Sequence, residues 1–137
     1  MGDAHANSDE LRDAIAWTDS LVVRPSTIHG LGVFARRSFA AGEIVERVPC
    51  VPIPDGEMHF ARMRGTIMHR YPMPDVPEPG RSAWMLGYGA LYNHTPHGHE
   101  PNSAWERAGE RLLIFRAVRD IALGDEITYD YGEDTGF

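Results

Sequence analysis

Proline and glycine decide most of what this chain can fold into. Fourteen glycines and ten prolines punctuate its 137 residues, and the segments between them are short, apolar and rich in β-branched or aromatic side chains. "SLVVRPS" and "GVFARRSF" read as brief strands bounded by Pro and Gly signals. "EIVERV" alternates as a half-buried strand does, after a turn at Gly42. Pro49, Pro52 and Pro54 then predict an edge strand or an extended crossing, because proline cannot donate to a ladder.

Two stretches read differently. "SDELRDAIAW" predicts a short helix with Ser8 as its N-cap and acidic residues in its first turn. From Asp55, "DGEMHFARMRGTIMHRY" is loosely helical, with Gly65 interrupting, and "PMPDVPEPG" is a loop. "SAWMLGYGALYNH" is apolar and glycine-spaced. "ERLLIFRAVRDI" is a strand leading into a turn at Gly124, and "EITYDY" is the last strand. There is no βαβ rhythm and no internal repeat. The expected class is mostly β with a small helical insert at about 55–83, within one domain over 20–133. An N-terminal extension (1–19) precedes it and a short tail (134–137) follows.

Composition narrows the function. One cysteine, Cys50, excludes an intramolecular disulfide framework and a Cys-rich zinc cluster. No apolar run approaches the length of a membrane span. The first residues lack the basic and apolar regions of a secretory signal and the pattern for myristoylation, so a cytoplasmic protein is the expectation. A net charge of −7 argues against binding a nucleic-acid backbone. It suits a basic protein partner, or simply solubility.

Three motifs carry chemistry. "STIHGLGVFA" holds Gly30 and Gly32 around Leu31. It is either a hairpin turn or a loop whose bare backbone lets a small molecule approach closely; the Rossmann spacing is absent. "YNHTPHGHEPN" (92–102) offers His94, His97, His99 and Glu100, which suit a metal or an ordinary solvated turn, and two amides, Asn93 and Asn102, that can donate and accept at once. "GDEITYDYG" (124–132) places Tyr129 and Tyr131 on one face of a strand. They are either core or the lining of a polar-tipped aromatic slot.

Taken together, "HGLGVFA", "NHTPHGHEPN" and "LIFRAVRDIALGDEITYDYG" stand in the order found in SET-domain protein-lysine methyltransferases. Those proteins carry a Gly-x-Gly stretch, an "NHS-x-x-PN" loop and a closing "GEELTYDYG". Over residues 20–133 the chain closely resembles that family, most of all its small bacterial and viral members. The resemblance implies a fold of short curved sheets with a C-terminal pseudoknot. It implies S-adenosylmethionine as cofactor, contacted by the backbone at Gly30, Leu31 and Gly32 and held by Asn93 and His94. Asn102 matches the asparagine that helps tie the loop. Tyr131 matches the tyrosine at the methyl-transfer centre. Tyr129 stands where the family has Phe or Tyr, and Tyr there implies monomethylation. The implied partner is a basic, lysine-containing protein or peptide, and a homodimer is an open alternative. All thirteen basic residues of this chain are arginine, which fits a GC-rich genome and leaves a lysine-modifying enzyme no lysine of its own to modify.

The chain departs from that family in two places. "NHSC" reads "NHTP", with five residues between Thr95 and Pro101, and the flanking cysteine-rich segments are missing, leaving Phe137 as the sole aromatic for a lid over the cofactor. Tyr88 is either a channel wall or packing. Glu43, Glu46, Glu133 and Asp134 read as surface solvation or as attraction for a basic peptide. The rivals to a methyltransferase are a catalytically inactive SET-like domain that binds a peptide or ligand, and a metal-stabilised binding protein built on the three histidines.

Overall fold

The computed structural model describes residues 18–54, 57 and 71–132. The expected amino-terminal helix, most of the expected insert, Glu133, Asp134 and Phe137 lie outside them. Among the described residues nine strands account for the architecture: β1 (Leu21–Pro25), β2 (Leu31–Ala35), β3 (Ile44–Pro52), β4 (Met73–Pro74), β5 (Ser82–Met85), β6 (Asn93–His94), β7 (Ser103–Arg107), β8 (Leu112–Ala117) and β9 (Thr128–Tyr129). The only helical element among them with three residues or more is a 3-10 turn, Gly89–Leu91. The mostly β class is therefore observed, as curled sheets of short strands.

β1 and β2 form an antiparallel hairpin, Leu21 opposite Ala35 and Pro25 opposite Leu31. The large sheet runs β4-β5-β3-β8-β7, and β6 pairs with β9 in parallel. Along β8 the side chains of Leu113, Phe115 and Ala117 turn inward in strict alternation, as a strand with one covered face requires. They meet Val33, Val48, Tyr92, Ile121, Ile127 and Tyr129 in a single core.

β3 corrects two expectations. It is not an edge strand: it pairs with β8 from Ile44 to Pro49 and with β5 from Cys50 to Pro52. The prolines are tolerated because the partner changes at this point. Each residue of a strand points its N–H and C=O to one side. The Pro49 carbonyl accepts from Leu86 N–H on the β5 side, so its missing N–H falls where that ladder is only beginning. Second, the register slips between Ile44 and Glu46, a bulge at Val45. An extra residue shifts the phase of everything after it. Glu46 consequently shares its face with Val48 and Cys50 and is buried, not solvated as its neighbours in sequence suggest. Glu43, one turn earlier, does lie at the surface, 2.8 Å from Arg37.

Candidate active site

The site is assembled where the β1–β2 hairpin tip, the β6 strand and the closing segment meet. Gly30 takes a left-handed backbone, φ +49°, which glycine adopts at no steric cost. That turns the chain so that Ser26 N–H reaches the Gly30 carbonyl at 2.8 Å, while Ser26 Oγ accepts from Ile28 N–H at 2.9 Å. Leu31 is half exposed, and the space beside the Gly30 α-carbon is open to 4 Å. On the other side, Gly32 lies directly against Glu126: a Cβ there would sit 2.4 Å from Oε2 and 3.1 Å from Asn93 Nδ2. The tip is thus bare backbone, open at Gly30 and braced at Gly32.

Asn93 is the brace. Its Nδ2 donates toward His29 O at 3.0 Å, Leu31 O at 3.1 Å and Glu126 Oε2 at 2.8 Å. Glu126 also accepts from Ser26 Oγ at 2.7 Å. A buried amide and a carboxylate therefore clamp both sides of the hairpin tip, and charge-assisted bonds of this kind are the stronger ones. Protein acceptors engage both amide hydrogens of Asn93, so its Nδ2 holds the loop in place.

His94 accepts the Tyr131 N–H at Nδ1, 3.0 Å. That leaves the ring hydrogen of the neutral tautomer on Nε2. The ring stands 5.2 Å from that of Tyr131 and 3.9 Å from the Asp130 carboxylate. Asn102, expected to help tie the loop, bonds both backbone groups of the closing segment: it donates to Glu126 O and accepts from Thr128 N–H, each at 2.9 Å. Residues 93–102 and 126–131 are laced together by these contacts and by the β6–β9 pairing. Among the described residues no three His, Cys, Asp or Glu side chains converge as a metal group would need.

Tyr129 and Tyr131 do share a face, with ring centroids 4.8 Å apart. The Tyr131 hydroxyl donates to the Tyr92 carbonyl. Burial, helped by the neighbouring Tyr71 and Glu126, pushes its pKa up to about 12, against a small opposing pull from the backbone bond to His94. Tyr129 is almost wholly buried, T-stacked on Phe115 at 5.2 Å, and its hydroxyl donates to Met73 Sδ at 3.7 Å. Burial first, then Tyr131, raises its pKa well beyond the ordinary phenol range. Both phenols are neutral donors at physiological pH. Tyr88 is partly buried against the core.

Four residues that shape this site escaped the reading of the sequence: Ser26, Glu126, Tyr92 and Met73. Tyr92 and Glu126 lie within the motifs "YNHTPHGHEPN" and "GDEITYDYG", but nothing local in those motifs says that their side chains reach Glu46 and the hairpin tip. Ser26 opens the motif "STIHGLGVFA" and Met73 lies in the proline-rich loop, and each joins the site through a contact remote in sequence, to Glu126 and to Tyr129.

The SET domain family matches residues 30–132. Human histone-lysine N-methyltransferase 2B is 31% identical over 121 residues, which is 82% of this chain and 4% of that protein. The histone-lysine N-methyltransferase, H3 lysine-37 specific, of Schizosaccharomyces pombe is 26% identical over 118 residues, covering 85% of this chain and 76% of that protein. ATX2, a histone-lysine N-methyltransferase of Arabidopsis thaliana, is 31% identical over 77% of this chain and 10% of its own length. This chain thus spans a small part of the human and Arabidopsis proteins. Among solved structures, a Plasmodium falciparum protein assigned as a histone methyltransferase superposes with a TM-score of 0.65 at 26% identity, over 88% of this chain and 99% of that one. The family match spans the glycine tip, Asn93 and Tyr131, and on that ground this chain belongs to the SET-domain family.

Proposed function

We propose that this protein transfers a methyl group from S-adenosylmethionine to the ε-amine of a lysine in a basic protein substrate, and that it stops at one methyl. The observation that carries the reading is the pair of neutral phenols, Tyr129 and Tyr131, 4.8 Å apart beside a clamped glycine tip. The residues fit the cofactor. Space is open beside the Gly30 α-carbon and Leu31 is half exposed, His94 Nδ1 is engaged by the Tyr131 N–H, which turns Nε2 away from that bond, and Asn93 braces the tip. When bound, S-adenosylmethionine supplies an electrophilic methyl on a sulfonium.

The chain's own residues do the rest. A free lysine has a pKa of about 10.4 and is protonated at neutral pH, so the site must favour the neutral amine. Aromatic walls do that by desolvation. Neutral phenols accept and donate without adding the negative charge that would hold the proton on. With its pKa at about 12, Tyr131 orients the amine; it is no phenolate base. Holding two reactants in line is worth effective molarities on the order of 10⁵ M or more. The Tyr129 hydroxyl narrows the space for an amine that already carries a methyl, which is the support for monomethylation.

The test is transfer of labelled methyl from S-adenosylmethionine to a panel of basic proteins, with Tyr131→Phe as control. Because the chain contains no lysine, lysine-linked label can come only from the substrate. Label that collapses in the variant, with monomethyl-lysine as the product, is expected. Cofactor binding with no transfer to any substrate would overturn the reading and leave the inactive peptide-binding domain in its place.

A further inference from the structure

Glu46 is a buried carboxyl with no part in the mechanism above. Its Oε1 accepts from the Tyr92 hydroxyl at 2.7 Å and its Oε2 from Tyr88 N–H at 3.1 Å. Burial raises its pKa above the ordinary carboxylate value, against smaller opposing contributions from those two bonds. A carboxylate in such a place costs free energy unless its bonds are kept, and the surroundings are shaped to keep them. A Cβ on Gly87, φ +62°, would lie 2.6 Å from Oε2, and one on Gly89 would lie 2.6 Å from Val48 Cγ1. The turn from Gly87 to Tyr92 therefore lies flat on β3, with Glu46 reaching into it. Tyr92 is gripped at both ends of its side chain, the ring stacked 4.7 Å from Phe115 and the hydroxyl on Glu46. Its carbonyl is the group that accepts the Tyr131 hydroxyl.

We propose that Glu46 is a positioning residue for Tyr131, acting through Tyr92: it fixes the turn whose last carbonyl sets the direction of the reactive phenol. The proposal rests on the methyl-transfer reading, but only for its kinetic consequence. Glu46 touches neither substrate nor cofactor, and its effect falls on the rate of transfer, not on cofactor binding. Gln can keep both bonds, accepting from Tyr88 N–H and donating to the Tyr92 oxygen, whereas Leu keeps neither.

The experiment compares wild type with Glu46→Gln, Glu46→Leu, Tyr92→Phe and the Leu/Phe double variant. Steady-state transfer is measured alongside the ¹³C NMR signal of Cζ-labelled Tyr131, assigned by its loss in Tyr131→Phe. Expected are a fall in kcat of about tenfold or more in Glu46→Leu and Tyr92→Phe, an unchanged KM for S-adenosylmethionine, and a double variant no worse than either single one. Glu46→Gln recovers most of the rate, and the Tyr131 signal moves in the Leu variant but not in the Gln variant. Wild-type kcat in folded Glu46→Leu or Tyr92→Phe overturns the proposal. Should Glu46→Leu not fold, Tyr92→Phe decides. Should wild type transfer no methyl, the function reading fails by itself. The Tyr131 signal then decides the positioning: unmoved in Glu46→Leu and Tyr92→Phe, it overturns the link; moved, it supports it.

Discussion

The α-carbon of Gly32 lies under the Glu126 carboxylate so closely that a methyl group on it would stand 2.4 Å from Oε2 and 2.8 Å from Cδ. Glu126 cannot retreat without releasing Ser26 and Asn93, which it holds at 2.7 and 2.8 Å. Gly32→Ala is therefore expected to destabilise the fold by about 1–3 kcal/mol, the range for overpacking a filled site, and to weaken S-adenosylmethionine binding. Denaturant midpoints and calorimetry check the two effects. Full stability in the alanine variant would mean that the clamp yields.

Glu126 itself is expected to matter more for the hairpin tip than for the core. Glu126→Ala removes the acceptor of two hydrogen bonds, and bonds to a charged group contribute about 1.5–3 kcal/mol each. Faster amide exchange confined to residues 26–32, with a loss of cofactor affinity, is the expected result. Unaltered exchange there would show that Asn93 suffices alone.

Alkaline stability follows from Tyr131. Its pKa is raised from the usual 10.0 to about 12 in the folded protein, so between those values the folded state retains a proton that the unfolded state has lost. Stability therefore falls as pH rises from 10 towards 12. Tyr131→Phe removes this group's share, and its unfolding free energy is expected to decline less steeply over that window. Parallel slopes for wild type and variant would contradict the assignment.

Product control is expected to sit in Tyr129. The Tyr129→Phe variant loses the hydroxyl that donates to Met73 Sδ at 3.7 Å, leaving room at the amine. Mass spectrometry of the product is then expected to show dimethyl-lysine from the variant against monomethyl-lysine from wild type, with little loss of rate. A product still confined to one methyl would place the steric limit elsewhere.

Much of the site was legible because its signals are local. The alternation of Tyr129 and Tyr131 predicts a shared face, and the rings lie together. Asn93 and His94 stand in one short strand, and β6 pairs that strand with the segment carrying the tyrosines. The hairpin of β1 and β2 was likewise visible as two brief runs around a glycine tip. β7 was not, because an edge strand holding Glu106 and Arg107 in view of solvent has the composition of a loop.

The sequence by itself determined the mostly β class and the shared face of Tyr129 and Tyr131, since periodicity and turn chemistry act between near neighbours, and its resemblance to a family marked Asn93 and His94. Tertiary structure decided what those residues do for one another. The bulge at Val45 turned Glu46 from the surface into the core, and the change of partner along β3 made room for its prolines. The closing segment brought Glu126 over Gly32 from the far end of the chain. The physical reason is that a buried polar group must find partners wherever the fold offers them, and those partners lie at separations over which local sequence pattern carries no information.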